Sequence, residues 1–155
     1  MGHTQALEPD DVMTATDQHG QIAHQSLIDH SVRLERTLHE VSDGVWCLVG
    51  NGLSNQTFVT APGGIIAIDT GESIEEMRDA LIELRTVTDA PIVAVIYTHF
   101  HYVSGTQAIL DTEPVEEIWG HARIEDNLRR SATEIAPAYG RGLVEQFAMQ
   151  LPQDG

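Results

Sequence analysis

Short apolar runs separated by glycine and proline dominate the middle of the chain. Val45 to Val49 is one such run, and Gly50-Asn51-Gly52 after it has turn chemistry. Gln56 to Thr60 reads as a second strand. Pro62-Gly63-Gly64 is a tight turn and Ile65 to Ile68 a short apolar strand, which predicts three consecutive antiparallel strands. The period then changes. Ser73-Ile74-Glu75-Glu76 has the spacing of a capping box, and Met77, Leu81 and Leu84 recur on one helical face with Ala80 beside them. Asp89-Ala90-Pro91 ends that helix, and Ile92 to Tyr97 is another apolar strand. Strand, helix, strand is a βαβ crossover, so the flanking strands should pair in parallel.

The flanks are less regular. Residues 1–20 are polar and read as a loose arm, and 21–41 have a helical composition with imperfect periodicity. Beyond Tyr97 the pattern predicts a helix near 105–110, a short strand at Glu117-Ile118-Trp119, and helices near 122–132 and 140–149, with turn chemistry from Leu151-Pro152 onward. The expected division is an N-terminal arm and helix over 1–40 and an α/β domain over 41–155.

The chain has 155 residues, which suits a single core. Its net charge is −16, from 24 acidic and 8 basic residues, and every basic residue is Arg. So acidic a protein has no electrostatic reason to bind nucleic acid or an anionic membrane. A Lys-free acidic composition fits either a high-salt cytoplasm or GC-rich coding. No apolar run spans a bilayer and the first residues lack a secretory signal, so the expected location is cytoplasmic. The single Cys47 excludes an internal disulfide and reads as a buried small hydrophobe.

Two segments fall where an α/β sheet places its chemistry, just past the C-terminal ends of strands. Asp69-Thr70-Gly71 follows Ile68, and Thr98-His99-Phe100-His101 follows Tyr97. If their strands are neighbours, the two loops converge. Two histidines one residue apart can turn both imidazoles onto one ion of the zinc type. The same pair also describes ordinary loop histidines, and Asp69 also describes a carboxylate at a helix N-terminus. His19, His24, His30 and His39 share no site-forming spacing. His121 reads as a loop histidine and Arg129-Arg130 as an exposed helical pair.

The order and wording of Gly52-Leu53-Ser54-Asn55, Ile65-Ile66-Ala67-Ile68-Asp69-Thr70-Gly71 and Ile96-Tyr97-Thr98-His99-Phe100-His101 resemble the metallo-β-lactamase superfamily, most closely its alkyl sulfatase branch. Trp119-Gly120-His121, Asn127-Leu128-Arg129-Arg130, Tyr139-Gly140-Arg141-Gly142 and Leu151-Pro152 extend that resemblance over about 40–155. It implies an αββα sandwich of which only the first half is present. It also implies hydrolysis of an alkyl sulfate or related small-molecule ester by a zinc-activated water. Carried over, His99 and His101 match two metal ligands, and Asp69 and Thr98 match the residues that brace them from behind; Tyr102 is a candidate substrate contact from its position beside the ligands alone.

Two departures qualify what the resemblance implies. The family signature continues His-x-His-x-Asp-His, but here Val103 and Ser104 stand in the last two places. Valine cannot coordinate a cation, so one zinc ion is expected rather than two. The chain also supplies fewer protein ligands than the three of a catalytic zinc site. Two functions therefore stand side by side. One is a metal-dependent hydrolase, with a partner chain or self-association completing the fold. The other is a truncated, non-catalytic fragment that acts as a binding or assembly partner or is inactive alone. A metal-free α/β binding module would follow only if both histidines were dispensable.

Overall fold

The computed structural model describes residues 13–146, in two units that meet in sequence between Arg36 and Thr37. In the first unit, β1 (Thr14–Thr16) pairs antiparallel with β2 (Ile22–His24). Asp17 closes the hairpin, its Oδ1 accepting the amides of His19 and Gln21 at 2.8 Å each. Helix α1 (Gln25–Ser31) follows, with the His24 ring accepting from the Ser26 amide at its N-terminus. A 3-10 turn over Val32–Leu34 ends at the extended Glu35.

This corrects the helix expected over 21–41 and, for residues 13–20, the loose arm expected over 1–20. The Asp17 turn commits 14–24 to a hairpin, and Leu27, Val32 and Leu34 stay exposed, so no apolar stripe sustains a long helix. Residues 1–12 lie outside the described residues.

The second unit is a mixed six-stranded sheet in the order β3 (Thr37–Ser42), β4 (Val45–Val49), β5 (Gln56–Ala61), β6 (Gly64–Ile68), β7 (Ile92–Ile96), β8 (Glu117–Trp119). The first four strands form an antiparallel meander. β6–β7 and β7–β8 are parallel, as a crossover requires. β3 was missed because residues 37–42 have no strict alternation; pairing with β4 imposes the strand, a tertiary override of weak local preference.

Helix α2 (Ile74–Leu84) makes the β6-to-β7 crossover and buries Met77, Ala80, Leu81 and Leu84, the predicted face. With Ala108 and Ile109 of α3 (Thr106–Leu110), this face meets Leu48, Phe58, Ile65, Ala67, Ile92 and Val95 in one core. Each of the larger side chains here, when fully buried, contributes about 1.5–3 kcal/mol. Arg85 at the end of α2 donates to the Thr88 and Ala90 carbonyls and pairs with Glu113. The Glu113 carboxylate also accepts the Ile92 amide at 3.0 Å, which fixes the entry into β7.

The alternate residues of the strands (Cys47, Thr57, Val59, Ile66, Ile68, Ala94 and Ile96) are only partly buried. Cys47 is therefore half-exposed rather than buried; it lies opposite Thr57, whose hydroxyl is 3.7 Å from its sulfur. After β8 the helix runs without a break through α4 (Ile124–Arg130), a π turn (Ser131–Ile135) and α5 (Ala136–Gln146). Two separate helices were expected, near 122–132 and 140–149. The Ala136 amide bonds back five residues to Ser131, and this wider turn lets the helix continue into Pro137, which has no amide to donate. The expected helical residues 147–149 and the turn at Leu151-Pro152 lie outside the described residues. No described helix is long and apolar enough to cross a membrane.

Candidate metal centre

Because β6 and β7 are parallel neighbours, their C-terminal ends lie side by side, and the two expected loops do converge. Asp69 sits just past β6 with a left-handed backbone, φ 57°, and is 8% exposed. That conformation is uncommon for a residue with a side chain, though Asp tolerates it better than most. It is held by hydrogen bonds on all sides. The Asp69 amide donates to the Ile96 carbonyl at 2.9 Å. Its carboxylate accepts the Thr98 amide on Oδ1 at 2.9 Å and the Thr98 hydroxyl on Oδ2 at 2.6 Å.

The Thr98 hydroxyl also lies 2.8 Å from His99 Nδ1. A hydroxyl has one proton, and this one is given to a carboxylate, which can only accept. Thr98 Oγ1 must therefore accept from His99, so the proton of the neutral imidazole is on Nδ1 and the lone pair on Nε2. A carboxylate, a hydroxyl and an imidazole in line thus fix a tautomer. This is the usual way a protein prepares a histidine as a metal ligand.

The far end of the histidine loop is also anchored. The Thr70 amide donates to the Tyr102 carbonyl at 2.8 Å, and the Thr70 hydroxyl reaches the same carbonyl at 3.1 Å. Thr70 and Thr106 hydroxyls are 3.1 Å apart, and Thr106 is also bonded to Tyr97 Oη and to the Val103 carbonyl. Gly105 lies against the Thr70 carbonyl so closely that a Cβ there would overlap it. Asp69 and Thr70, adjacent in sequence, thus hold the two ends of the loop that runs from Thr98 to Tyr102.

Within that loop the His99 and His101 rings have centroids 5.1 Å apart. Two imidazoles on one tetrahedral zinc, each at roughly 2.0–2.1 Å, place their centroids about 5 Å apart, a similar separation. His99 is half-buried and His101 exposed. The Tyr102 ring stands edge-on to His99 at 4.7 Å, and Phe100 lies 4.0 Å from His101. Val103 contributes a carbonyl to the Thr106 network rather than a ligand, and Ser104 is exposed.

Among the described residues no group of three or more His, Cys, Asp and Glu could hold a metal ion. His121 is exposed and accepts the Arg123 amide on Nδ1 at 3.1 Å, within its own turn. Arg129 and Arg130 are exposed and pair with Asp126 and Glu134 of their own helical segment.

Sequence reasoning missed two features. Thr106 and Tyr97 form the polar joint under the loop; nothing in their spacing announces it, because they meet only through the fold. The other is an apolar groove of about 560 Å³ beside His101, lined by Phe100, Leu128, Ala132, Ile135 and Tyr139 among others. Its far wall is the helix on either side of the π turn, where Leu128, Ile135 and Tyr139 remain exposed.

The metallo-beta-lactamase superfamily model matches residues 49–138. Two linear primary-alkylsulfatases of Pseudomonas are each 35% identical, over 85 and 82 residues. The chain spans only 16% and 12% of the length of these curated relatives. A solved structure of a double mutant of the sec-alkyl sulfatase PisA1 superposes with a TM-score of 0.61 at 21% identity, over 79% of this chain and 23% of that one. A metallo beta lactamase from Hirschia baltica gives a TM-score of 0.51 at 18% identity, over 62% and 48% of the two chains. At such identities these structures speak to the fold alone.

Proposed function

The chain belongs to the metallo-beta-lactamase superfamily, and from that premise we propose that its histidine loop serves a metal-dependent, alkylsulfatase-like hydrolase with one zinc ion. The observation that supports this best is the line Asp69–Thr98–His99, which leaves the Nε2 lone pair of His99 free for a metal. His99 and His101 would hold the ion, and at least one further ligand would come from outside the described residues. Zinc bound there would supply a coordinated water that ionises near neutral pH.

The chain's own residues have separate tasks. Asp69 orients Thr98, and Thr98 orients His99. Tyr102, edge-on to His99, would touch the substrate. The groove beside His101 would seat the apolar part of a small sulfate ester, since its walls are mostly carbon. Residues 41–155 would carry this activity and 1–40 would be an appendage. A partner chain or a second copy would complete the ligand set and cover the half-exposed sheet face.

Val103 and Ser104 favour a second reading, in which the chain binds or assembles without catalysis. Zinc per chain after dialysis separates the two, measured beside a His99→Ala/His101→Ala double variant. Near-stoichiometric zinc in the parent and none in the variant is the expected result, followed by sulfate-ester assays on the loaded protein. A folded parent that retains no zinc overturns the metal reading.

A further inference from the structure

We infer that Glu76 is a positioning residue for the histidine loop, holding the turn that carries Asp69 from the side opposite Thr98. The spacing Ser73 to Glu76 predicts a capping box, and half of one is present: Ser73 Oγ accepts the Glu76 amide at 3.0 Å. The other half is diverted. Glu76 Oε2 accepts the amide of Glu72, at 2.8 Å, and Oε1 accepts from Gln56 Nε2 at 2.6 Å and Ser54 Oγ at 3.1 Å. Gln56 and Ser54 are buried, 0% and 4% exposed. Asn51 closes the cluster, donating to the Glu76 carbonyl at 2.8 Å and to Gln56 Oε1 at 3.2 Å.

One carboxylate therefore joins three segments: the loop between β4 and β5, the turn after β6, and the first turn of α2. All three lie at the sheet end that carries the histidines, because β5 runs antiparallel to both β4 and β6. Backbones from both sides crowd it. A Cβ on Gly52 would overlap Glu76 Oε1, and one on Gly71 would lie 2.6 Å from Glu76 Cδ. The turn has two left-handed residues, Asp69 at φ 57° and Gly71 at φ 77°; glycine adopts this freely, but for Asp69 it persists only where the surroundings over-determine it. The Thr98 contacts and the Ile96 carbonyl fix its near side. Glu76, through the Glu72 amide and the Gly71 backbone, fixes its far side, so displacing the carboxylate releases the turn that aims Asp69.

The metal half of this inference rests on the reading above; the positioning half does not. The test uses the full chain and three variants: Glu76→Gln, Gly52→Ala and Ser73→Ala. Glu76→Gln puts an amide donor against at least one of the three donors that the carboxylate accepts. Gly52→Ala pushes the carboxylate away without changing it. Ser73→Ala weakens the same helix end and leaves the carboxylate cluster intact. The metal-free readout is the tautomer of His99, from nitrogen-15 shifts of its ring; the second is affinity for Co²⁺ alone.

We expect the parent and Ser73→Ala to show the Nδ1–H tautomer. Glu76→Gln and Gly52→Ala should show a mixture and bind Co²⁺ about tenfold more weakly, the lower end of the cost of losing a ligand's supporting contacts. Should one of these two fail to fold, the other carries the test. A parent-like His99 in folded Glu76→Gln and Gly52→Ala overturns the inference, and so does an equal effect from Ser73→Ala. If the parent binds no Co²⁺ while His99 still responds to Glu76, the metal reading fails and the positioning role stands.

Discussion

Asp69 grips Thr98 twice, accepting its amide on one carboxylate oxygen at 2.9 Å and its hydroxyl on the other at 2.6 Å. Two donors from one residue on the two oxygens of one carboxylate fix both the position and the rotation of that residue. The hydroxyl then has only lone pairs left for His99. Sequence separation between Asp69 and Thr98 is bridged by helix α2, so the arrangement depends on the crossover being correctly seated.

Replacing Asp69 by Asn should therefore do more than remove a charge. One arm of the amide can still accept the Thr98 amide, but the other presents a donor, so the Thr98 hydroxyl must turn to accept it and give its own proton to His99 Nδ1, which reverses the tautomer. We expect zinc affinity to fall by about 10–100-fold, the usual effect of losing a ligand's orienting partner. Competition against a chromogenic chelator measures it. An affinity equal to the parent's would show that Asp69 does not orient the ligands.

Thr98→Val isolates the hydroxyl. Valine keeps the shape and the backbone amide bond to Asp69, while His99 Nδ1 loses its partner. Stability should fall by about 1.5–3 kcal/mol, because the buried Asp69 carboxylate loses a hydroxyl donor as well. His99 should lose its tautomer preference, which ring nitrogen shifts would show directly.

The core predicts a contrast within one helix. Leu84 is fully buried and Ile82 is 63% exposed, two residues apart on α2. Leu84→Ala should cost about 2–5 kcal/mol, and Ile82→Ala within about 0.5 kcal/mol of nothing. Urea unfolding of the two variants checks both.

Gly105 gives the sharpest steric prediction. Its hypothetical Cβ meets the Thr70 carbonyl, a backbone atom that cannot swing aside, and the Met77 side chain behind it. Gly105→Ala should lower the thermal midpoint by several degrees, with a cost of about 1–3 kcal/mol as for other overpacked sites. It should also weaken zinc retention, because the Thr70 contact is what anchors Tyr102.

Much of this was legible in the chain. Met77, Ala80, Leu81 and Leu84 fell on the predicted face because their spacing is a property of the helix alone. Asp69 and Thr98 came together because strand, helix, strand dictates parallel neighbours with adjacent ends. Glu76 was read as half of a local motif, and its carboxylate went elsewhere because Ser54 and Gln56 arrive from a distant strand. Residues 37–42 became a strand through pairing with β4, and 133–139 stayed helical through a π turn that no propensity announces. What could not be read were the choices made by partners far away in sequence.

The order of the strands also sets an order of events. Within the meander, strands β3 to β6 pair only with the strands next to them in sequence, so it needs short loop closures and can form early. The β6–β7 pairing must wait for α2 to cross over and dock, and only then are Asp69 and Thr98 brought within reach. The histidine pair acquires its shape at the end of folding. A chain whose crossover is slow or mispaired would carry both histidines and still lack their arrangement, so metal uptake in refolding should lag behind the appearance of sheet.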